Sequence, residues 1–409
     1  MRYLKMSTIT PISKQSRIEV LDIIRGFAIL GIVIANIHSW SGYKYISFDV
    51  LSTLPYYEYN DTLRYFFNMF IDTKFYTLFS MLFGIGFYLQ FHKFRADQDP
   101  FMKIYRRRLG YLVLFGLIHG LIWSGDILFL YGSVGFMFVL FRNLSHTKLL
   151  VLAIMFYYSW LTYDFAFAEM FTNQMIDTPY AYKQYSDQSP ESLTLVMQEG
   201  SIFEVWKQNL HNVYWRYYDF MPSGRVTKVL GIFMLGYWLM SIDYFRRYAD
   251  SLKLLVLYAV VGIGMTYIAL EIGGSMSKWS YTLENVAYKS IMVTGQIFMA
   301  MMYINLLSIL YNKTFLRPFI DVFAPVGRMS FTNYLLHTII GIAVFYNFAG
   351  DLWGTMGLVQ ITLLALGIYA FEVVFSYWWQ RYFTFGPLEW IWRSLTYKTL
   401  FPIRKKSLD

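Results

Sequence analysis

Residues 21–40 read LDIIRGFAILGIVIANIHSW. Apart from Asp22, Arg25, Asn36 and His38, every side chain in this run is apolar or small. As a helix rising about 1.5 Å per residue, such a run covers about 30 Å, the thickness of a bilayer's hydrocarbon core. Lipid cannot hydrogen-bond a bare backbone, so a segment buried there must be helical. Runs of the same kind recur at 63–90, 109–124, 127–141, 149–168, 226–244, 254–272, 289–311, 329–348 and 357–379. The run 63–90 is long enough to tilt, and 109–124 with 127–141 forms a short hairpin around Gly125-Asp126. The chain therefore reads as an all-α, polytopic membrane helix bundle with about ten transmembrane helices. A β-barrel would need alternating segments of about 10 residues, and none stands out.

Composition points the same way. Hydrophobic residues make up 56% of the chain and charged residues 15%, against about 25% charged in a soluble domain. Tyr and Trp gather at run ends, as in Tyr43, Tyr45, Tyr56 and Tyr57, or Tyr377, Trp378 and Trp379. There their amphipathic rings suit the headgroup level. The net charge of +9 reads as the positive-inside signal and not as a nucleic-acid surface. Most of the 35 Lys and Arg fall in the N-terminal segment, the loops 93–108, 142–148, 246–253 and 313–328, and the basic tail 380–409. That pattern predicts both termini in the cytoplasm. The opening 17 residues are polar and basic, and no small-residue cleavage site follows 21–40. The first run is thus expected to be a retained helix and not a signal peptide.

The chain reads as one membrane domain over 1–409. Its long outer connection, 169–225, has helical apolar spacing at 201–218 and is expected to lie on the leaflet as interfacial helices. Such a connection is either functional or a passive cover. Cysteine is absent, which excludes disulfides and thiolate nucleophiles. The histidines lack metal-ligand spacing, and no Gly-rich phosphate loop, HExxH or GxSxG occurs. No metal site is expected, and no ATPase, protease or hydrolase of a recognisable kind.

Ionisable groups inside a membrane are costly and so mark candidate sites. In the first run Arg25 and Asn36 differ by about 20° around the helix and by about 16 Å along it, with Asp22 near the same face and His38 about 220° away. The alternative is an Asp22–Arg25 pair that only pins the helix to headgroups. His119, Trp123 and Asp126 share a face at i, i+4 and i+7. A neutral His beside a carboxylate can act as general base, or be a satisfied core histidine. Ser330, Asn333, Tyr334 and His337 form a stripe that suits either a site or helix–helix adhesion. Glu372 is expected to pair with an Arg or Lys of the bundle, and Asp72 with Lys74. Arg106-Arg107-Arg108 reads as plain positive-inside charge, with phosphate binding as the alternative.

Five segments together resemble the YeiB-like family of bacterial membrane proteins, known as domain of unknown function 418. They are Leu21-Asp22-x-x-Arg25-Gly26-Phe27-Ala28 with Asn36; Lys74 to Ser80 leading to Phe83-Gly84-Ile85-Gly86; GLIHGLIWSGDIL at 116–128; GRMSFTNYLL at 327–336; and Gly386 to Tyr397. They span almost the whole chain. The resemblance implies a multi-pass protein of the bacterial cytoplasmic membrane and a relation to transmembrane acyltransferases. Those enzymes move an acyl group from cytoplasmic acyl-CoA to an acceptor, often a sugar, across the membrane. One branch carries a His where this chain has Asn36, so the base would have to be His119 with Asp126, His38 or a group elsewhere, with Asn36 positioning the thioester or acceptor. On that reading Arg25, Asp22 and Arg328 would serve the coenzyme's phosphates, and Asn333, His337 and Glu372 the acceptor. Acyl-CoA is then a co-substrate with no tightly bound cofactor. The partners are the lipid bilayer and a sugar or lipid acceptor, without nucleic acid, and a homo-oligomer is compatible with the sequence. A transporter or flippase of a small molecule or lipid-linked group is the alternative, and a non-catalytic membrane scaffold the third reading.

Overall fold

A computed structural model describes residues 18–94, 98–162, 190–220, 223–273, 283–313 and 315–405. Among these the chain is all-α, with 18 α-helices and no strand, apart from one isolated bridge between Phe383 and Arg404. The helices are α1 (Glu19–Trp40), α2 (Phe48–Thr53), α3 (Asn60–Phe70), α4 (Lys74–Lys93), α5 (Gln98–Ile122) and α6 (Leu128–Phe138). Then come α7 (His146–Tyr158), α8 (Pro190–Glu199), α9 (Ile202–Asp219), α10 (Arg225–Ser241), α11 (Tyr244–Arg247) and α12 (Leu252–Gly273). The last six are α13 (Leu283–Asn312), α14 (Arg317–Asp321), α15 (Phe323–Arg328), α16 (Ser330–Phe345), α17 (Leu358–Tyr382) and α18 (Pro387–Tyr397).

Helix α1 is the axis of the bundle. It packs against α4, α13, α15, α16 and α17, and Ile24, Ala28, Ile29, Val33 and Ile37 are fully buried in those contacts. Two pairs of glycines set how closely the helices cross. A Cβ on Gly26 would lie 1.9 Å from the Phe323 carbonyl oxygen, and one on Gly327 1.8 Å from that of Asp22. In the same way, Gly84 of α4 faces the Phe233 carbonyl at 1.9 Å and Gly236 of α10 that of Met81 at 2.0 Å. Small residues let backbones approach where lipid supplies no hydrophobic drive for association. Gly84→Ala or Gly236→Ala should therefore cost about 1–3 kcal/mol by overpacking and lower the melting point of the detergent-purified protein. Gly264→Ala in α12, with nothing within 4 Å, should stabilise it slightly, since alanine is the better helix former by roughly 0.5–1 kcal/mol. Equal melting points for all three variants would refute this account of the crossings.

Several apolar helices mark a membrane protein. On α12, Leu252, Val256, Val260, Ile263 and Tyr267 are all exposed. Their spacing of three and four residues makes one continuous apolar face, which a water-soluble surface rarely carries. Among the described residues four helices, not ten, are long and apolar enough to cross a membrane: α1, α12, α13 from Val286 onward, and α17. The difference has local causes. The expected run 63–90 breaks into α3 and α4, where Thr73 adopts a φ of +67°. Lys74 is wholly buried and donates to the Asn68 carbonyl oxygen, so the expected Asp72–Lys74 pair does not form. The hairpin at Gly125-Asp126 is present, but α5 starts within the basic segment and its charged first half lowers its hydropathy. Helices α10 and α16 have 17 and 16 residues, short of the roughly 20 that a span needs. Residues 163–168 of the fifth expected helix lie outside the described residues, as do 169–189 of the long connection.

The described part of that connection holds α8 and α9. Helix α9 opens with a capping box, Ser201 with Glu204, whose hydrogen bonds hold the Glu204 carboxyl below its ordinary range. It lies across the end of α5. Asn209 there accepts from the Ser124 backbone N–H at 2.8 Å and donates to the carbonyls of Gly120 and Leu121, each at 3.0 Å. These are helix-end groups that would otherwise lack partners.

Candidate functional site: a cation-lined cavity

Where α1, α4, α5, α10, α16 and α18 meet, they leave a cavity of about 780 Å³. Its wall on α4 runs from Phe75 to Gln90, a rise of about 22 Å and so most of a hydrocarbon core. The end at which α1 begins is called the near end here, and the end at which α1 finishes the far end. Four cations line the near end: Arg25, Arg108, Arg328 and Arg393. Four line the far end: Lys44, Arg216, Arg225 and Lys228. Between them the wall is largely aromatic, with Phe75, Tyr76, Phe79, Phe83, Tyr131 and Tyr334. Glu389 is the one carboxylate among the described lining residues.

At the near end the glycine crossing of α1 and α15 brings two guanidiniums around one buried carboxylate. Arg25 Nη1 donates to Asp22 Oδ1 at 2.8 Å, and Arg328 Nε lies 3.6 Å from Asp22 Oδ2. Asp22 is fully buried, whereas Arg25 and Arg328 keep 24% and 38% of their side-chain surface exposed. The carboxylate thus stands behind the wall and orients two cations that face the cavity. The Arg108 guanidinium stacks 3.7 Å above the Trp392 ring, whose Nε1 donates to the Arg108 carbonyl at 2.9 Å. Helix α18 is anchored beside them by Glu389. Its carboxylate accepts from the backbone N–H groups of Phe331 and Thr332 at 2.8 and 3.1 Å and from the Thr332 hydroxyl at 2.5 Å. It thereby caps the N-terminus of α16. Burial pushes the Glu389 carboxyl above its ordinary range, while the hydrogen bonds from Thr332 and Phe331 pull it back.

Behind the wall, toward the far end, lies a second group of polar side chains. His119 Nδ1 is 2.8 Å from Asp126 Oδ1, and Asp126 Oδ2 accepts from the Phe129 backbone N–H at 2.8 Å. The hydrogen-bond pattern assigns the proton to Nδ1 and leaves Nε2 as the basic nitrogen. That Nε2 is buried and has no hydrogen-bond partner among the described residues. The His119 ring lies 5.2 Å from that of Tyr334 and 5.9 Å from that of Trp123. Tyr334 in turn stands 5.3 Å from His337, whose Nδ1 is 3.4 Å from Glu372 Oε1.

The structure sorts the expected site residues into three groups. Arg25, Asn36 and Arg328 line the cavity, with Asp22 directly behind. His119 and Asp126 form the expected pair, but one layer behind Tyr334, Gly125 and Ile127, which do line it. The remaining candidates lie elsewhere. His38 packs on Phe67 and Tyr43, at 5.4 and 5.9 Å, and faces away from the cavity because it sits on the opposite side of α1. Asn333 donates to the Val326 carbonyl and the Ser376 hydroxyl, so its amide joins α16 to α15 and α17 instead of facing a substrate. His337 and Glu372 are fully buried, and Glu372 meets that imidazole and not an Arg or Lys. Sequence reasoning missed Arg216, Arg225, Lys228 and Glu389 entirely. It read Arg108 first as plain positive-inside charge, with phosphate binding as the alternative. The spacing of Tyr105, Arg108 and Leu112 on one face of α5 was the available signal.

Comparison with known proteins places these segments in context. Residues 239–399 match the family described as "Protein of unknown function (DUF418)". The chain is 32% identical to the "Uncharacterized protein YxaH" of Bacillus subtilis (strain 168), across 98% of this chain and 100% of the relative. It is 27% identical to the "Uncharacterized 39.9 kDa protein in amylase 3'region" of Bacillus acidopullulyticus, across 98% and 99%. Against the "Uncharacterized protein YeiB" of Escherichia coli (strain K12) identity is 26%, across 95% and 98%. No solved structure matches.

Proposed function

We propose that this chain, which belongs to the DUF418 family, is a membrane acyltransferase that uses acyl-CoA as donor and passes the acyl group to an acceptor across the bilayer. The near end is taken as cytoplasmic, with both termini on that side, in a multi-pass bundle of the bacterial plasma membrane. Ten crossings remain the proposed topology, with the shorter helices spanning a locally thinned layer. The observation that carries the reading is one elongated cavity with arginines at its near end, an aromatic middle and a histidine–aspartate pair beside its far half.

Each part has a chemical role. Arg25, Arg328 and Arg108 offer planar forks suited to the coenzyme's phosphates, and Asp22 holds the first two in place. The acyl-bearing arm lies along the aromatic wall, so that its thioester reaches the level of Asn36. The oxygen of the acceptor hydroxyl attacks the thioester carbonyl carbon; a C–O bond forms, the C–S bond breaks, and the coenzyme leaves as its thiol. The hydroxyl proton passes to His119 Nε2 once Tyr334 or Gly125 yields access, Asp126 stabilises the resulting imidazolium, and the imidazolium then gives that proton to the departing sulfur, which releases the thiol and restores the neutral histidine.

The test is equilibrium binding of radiolabelled acetyl-CoA, then longer acyl-CoAs, to the detergent-purified protein. Saturable binding is expected. A folded preparation that binds none of them sinks the donor assignment and favours the second reading, a transporter or flippase of an anionic group, which the cations at both ends of one cavity also suit.

A further inference from the structure

The far end of the cavity carries a cation cluster that the donor site does not use. We propose that Arg216, Arg225 and Lys228 form a separate site for a phosphate or phosphodiester group carried by the acceptor. This deepens the acyltransferase reading by naming a chemical class of acceptor, and it rests on that reading only for the word acceptor.

Three features converge. First, Arg225 and Lys228 occupy the first turn of α10, which holds no acidic residue. A helix N-terminus carries partial positive charge of its own, so two cations there are unfavourable unless an anion joins them. The backbone dipole and both side chains would all favour the same ligand charge. Second, the site is assembled from separate segments. The guanidiniums of Arg216, on α9, and Arg225, on α10, each lie 5.8 Å from the ring of Phe220, which directly follows α9. Lys228 Nζ lies 5.3 Å from the Trp160 ring and 6.0 Å from that of Tyr157, which fixes its stem against the end of α7. Third, all three side chains line the cavity. Among the described residues no carboxylate makes an ion pair with Arg225 or Lys228. Aromatic walls with clustered guanidiniums suit a phosphate at the end of an apolar or sugar-bearing chain.

A phosphate could arrive on a lipid headgroup or on a soluble molecule, and the experiment separates them. The full chain in detergent is titrated with phosphatidylglycerol, with phosphatidylcholine as the zwitterionic control, and retained lipid is counted by native mass spectrometry. The expected result is saturable retention of phosphatidylglycerol above the control, weakened about tenfold in Arg225→Gln and in Lys228→Gln. Arg216→Gln, on a different helix, should repeat the effect, so one variant that fails to fold does not end the test. Inorganic phosphate is then added. Displacement of the lipid assigns recognition to the phosphate alone and admits a soluble acceptor; persistence assigns it to the lipid headgroup. Where phosphatidylglycerol is not retained, saturable binding of inorganic phosphate that the same variants weaken supports the soluble source. Retention equal in wild type and all folded variants, or no binding of either probe, overturns the proposal. Acetyl-CoA binding measured on the same variants should be unchanged. Loss of far-end binding with acetyl-CoA binding intact therefore tests this site alone, and the converse outcome tests the donor site alone.

Discussion

Replacing Arg25 by alanine is expected to weaken acetyl-CoA binding by about 10–100-fold, the loss of one charge-assisted contact worth roughly 1.5–3 kcal/mol. The argument depends on Asp22. That carboxylate is fully buried and holds Arg25 at 2.8 Å and Arg328 at 3.6 Å. Removing Arg25 takes away a phosphate-facing fork and also strips a buried carboxylate of its closer partner. Breaking a buried pair from one side can cost about 3–5 kcal/mol of stability, so lost binding alone could mean lost folding. The double variant Asp22→Asn with Arg25→Ala separates the two. It removes the orphaned charge, so its melting point should recover toward wild type while binding stays weak. Arg25→Lys should fall between, since it keeps the charge but not the bidentate geometry. Wild-type affinity in Arg25→Ala, or recovery of affinity together with stability in the double variant, would remove Arg25 from the donor site. The same measurement decides whether the Asp22–Arg25 pair merely anchors α1.

Replacing His119 should show the second large effect. If its Nε2 takes the acceptor's proton, His119→Ala should lower kcat by about 10²–10⁴-fold and leave the acetyl-CoA dissociation constant unchanged, because His119 stands away from the near-end arginines. Asp126→Asn should act in the same direction. Its amide can no longer accept Nδ1–H unless it flips, and it cannot stabilise an imidazolium by charge. Activity that survives His119→Ala would return the pair to a structural role at the α5–α6 turn, where Asp126 also caps the Phe129 N–H. Activity and binding lost together, with a lowered melting point, would point to the same structural role.

How far the sequence anticipated this site depends on how local each signal was. The Arg25 and Asn36 stripe was legible because both residues sit on one straight helix, and 3.6 residues per turn fixes their common face. His119 and Asp126 were legible for the same reason, seven residues apart across a short turn. Their depth behind Tyr334 was not, because it depends on how α16 packs on α5. Asn333 and His337 show the limit. Their stripe is real, yet Asn333 meets α15 and α17 and His337 meets α17, while Ser330 and Tyr334 of the same stripe line the cavity; a polar stripe on one helix does not say whether its neighbour is a cavity or another helix. The far-end cations lay hidden because Arg216 and Lys228 come together only when α9 folds over the end of α5.

By itself the sequence determined the all-helical class and the membrane setting, since these follow from hydrophobic length and from the cost of bare backbone in lipid; the central place of the first run came from the packing. Glycine patterns at 26, 84, 236 and 327 were equally present in the sequence, but what they permit became visible only as backbone contacts. Tertiary structure alone decided which polar groups face open space. It also decided that the run 63–90 breaks at Thr73, and that cations from three segments of the chain gather at the far end of one cavity. The physical reason is that burial cost is paid by each helix locally, whereas a cavity is what remains where several helices fail to fill the space between them.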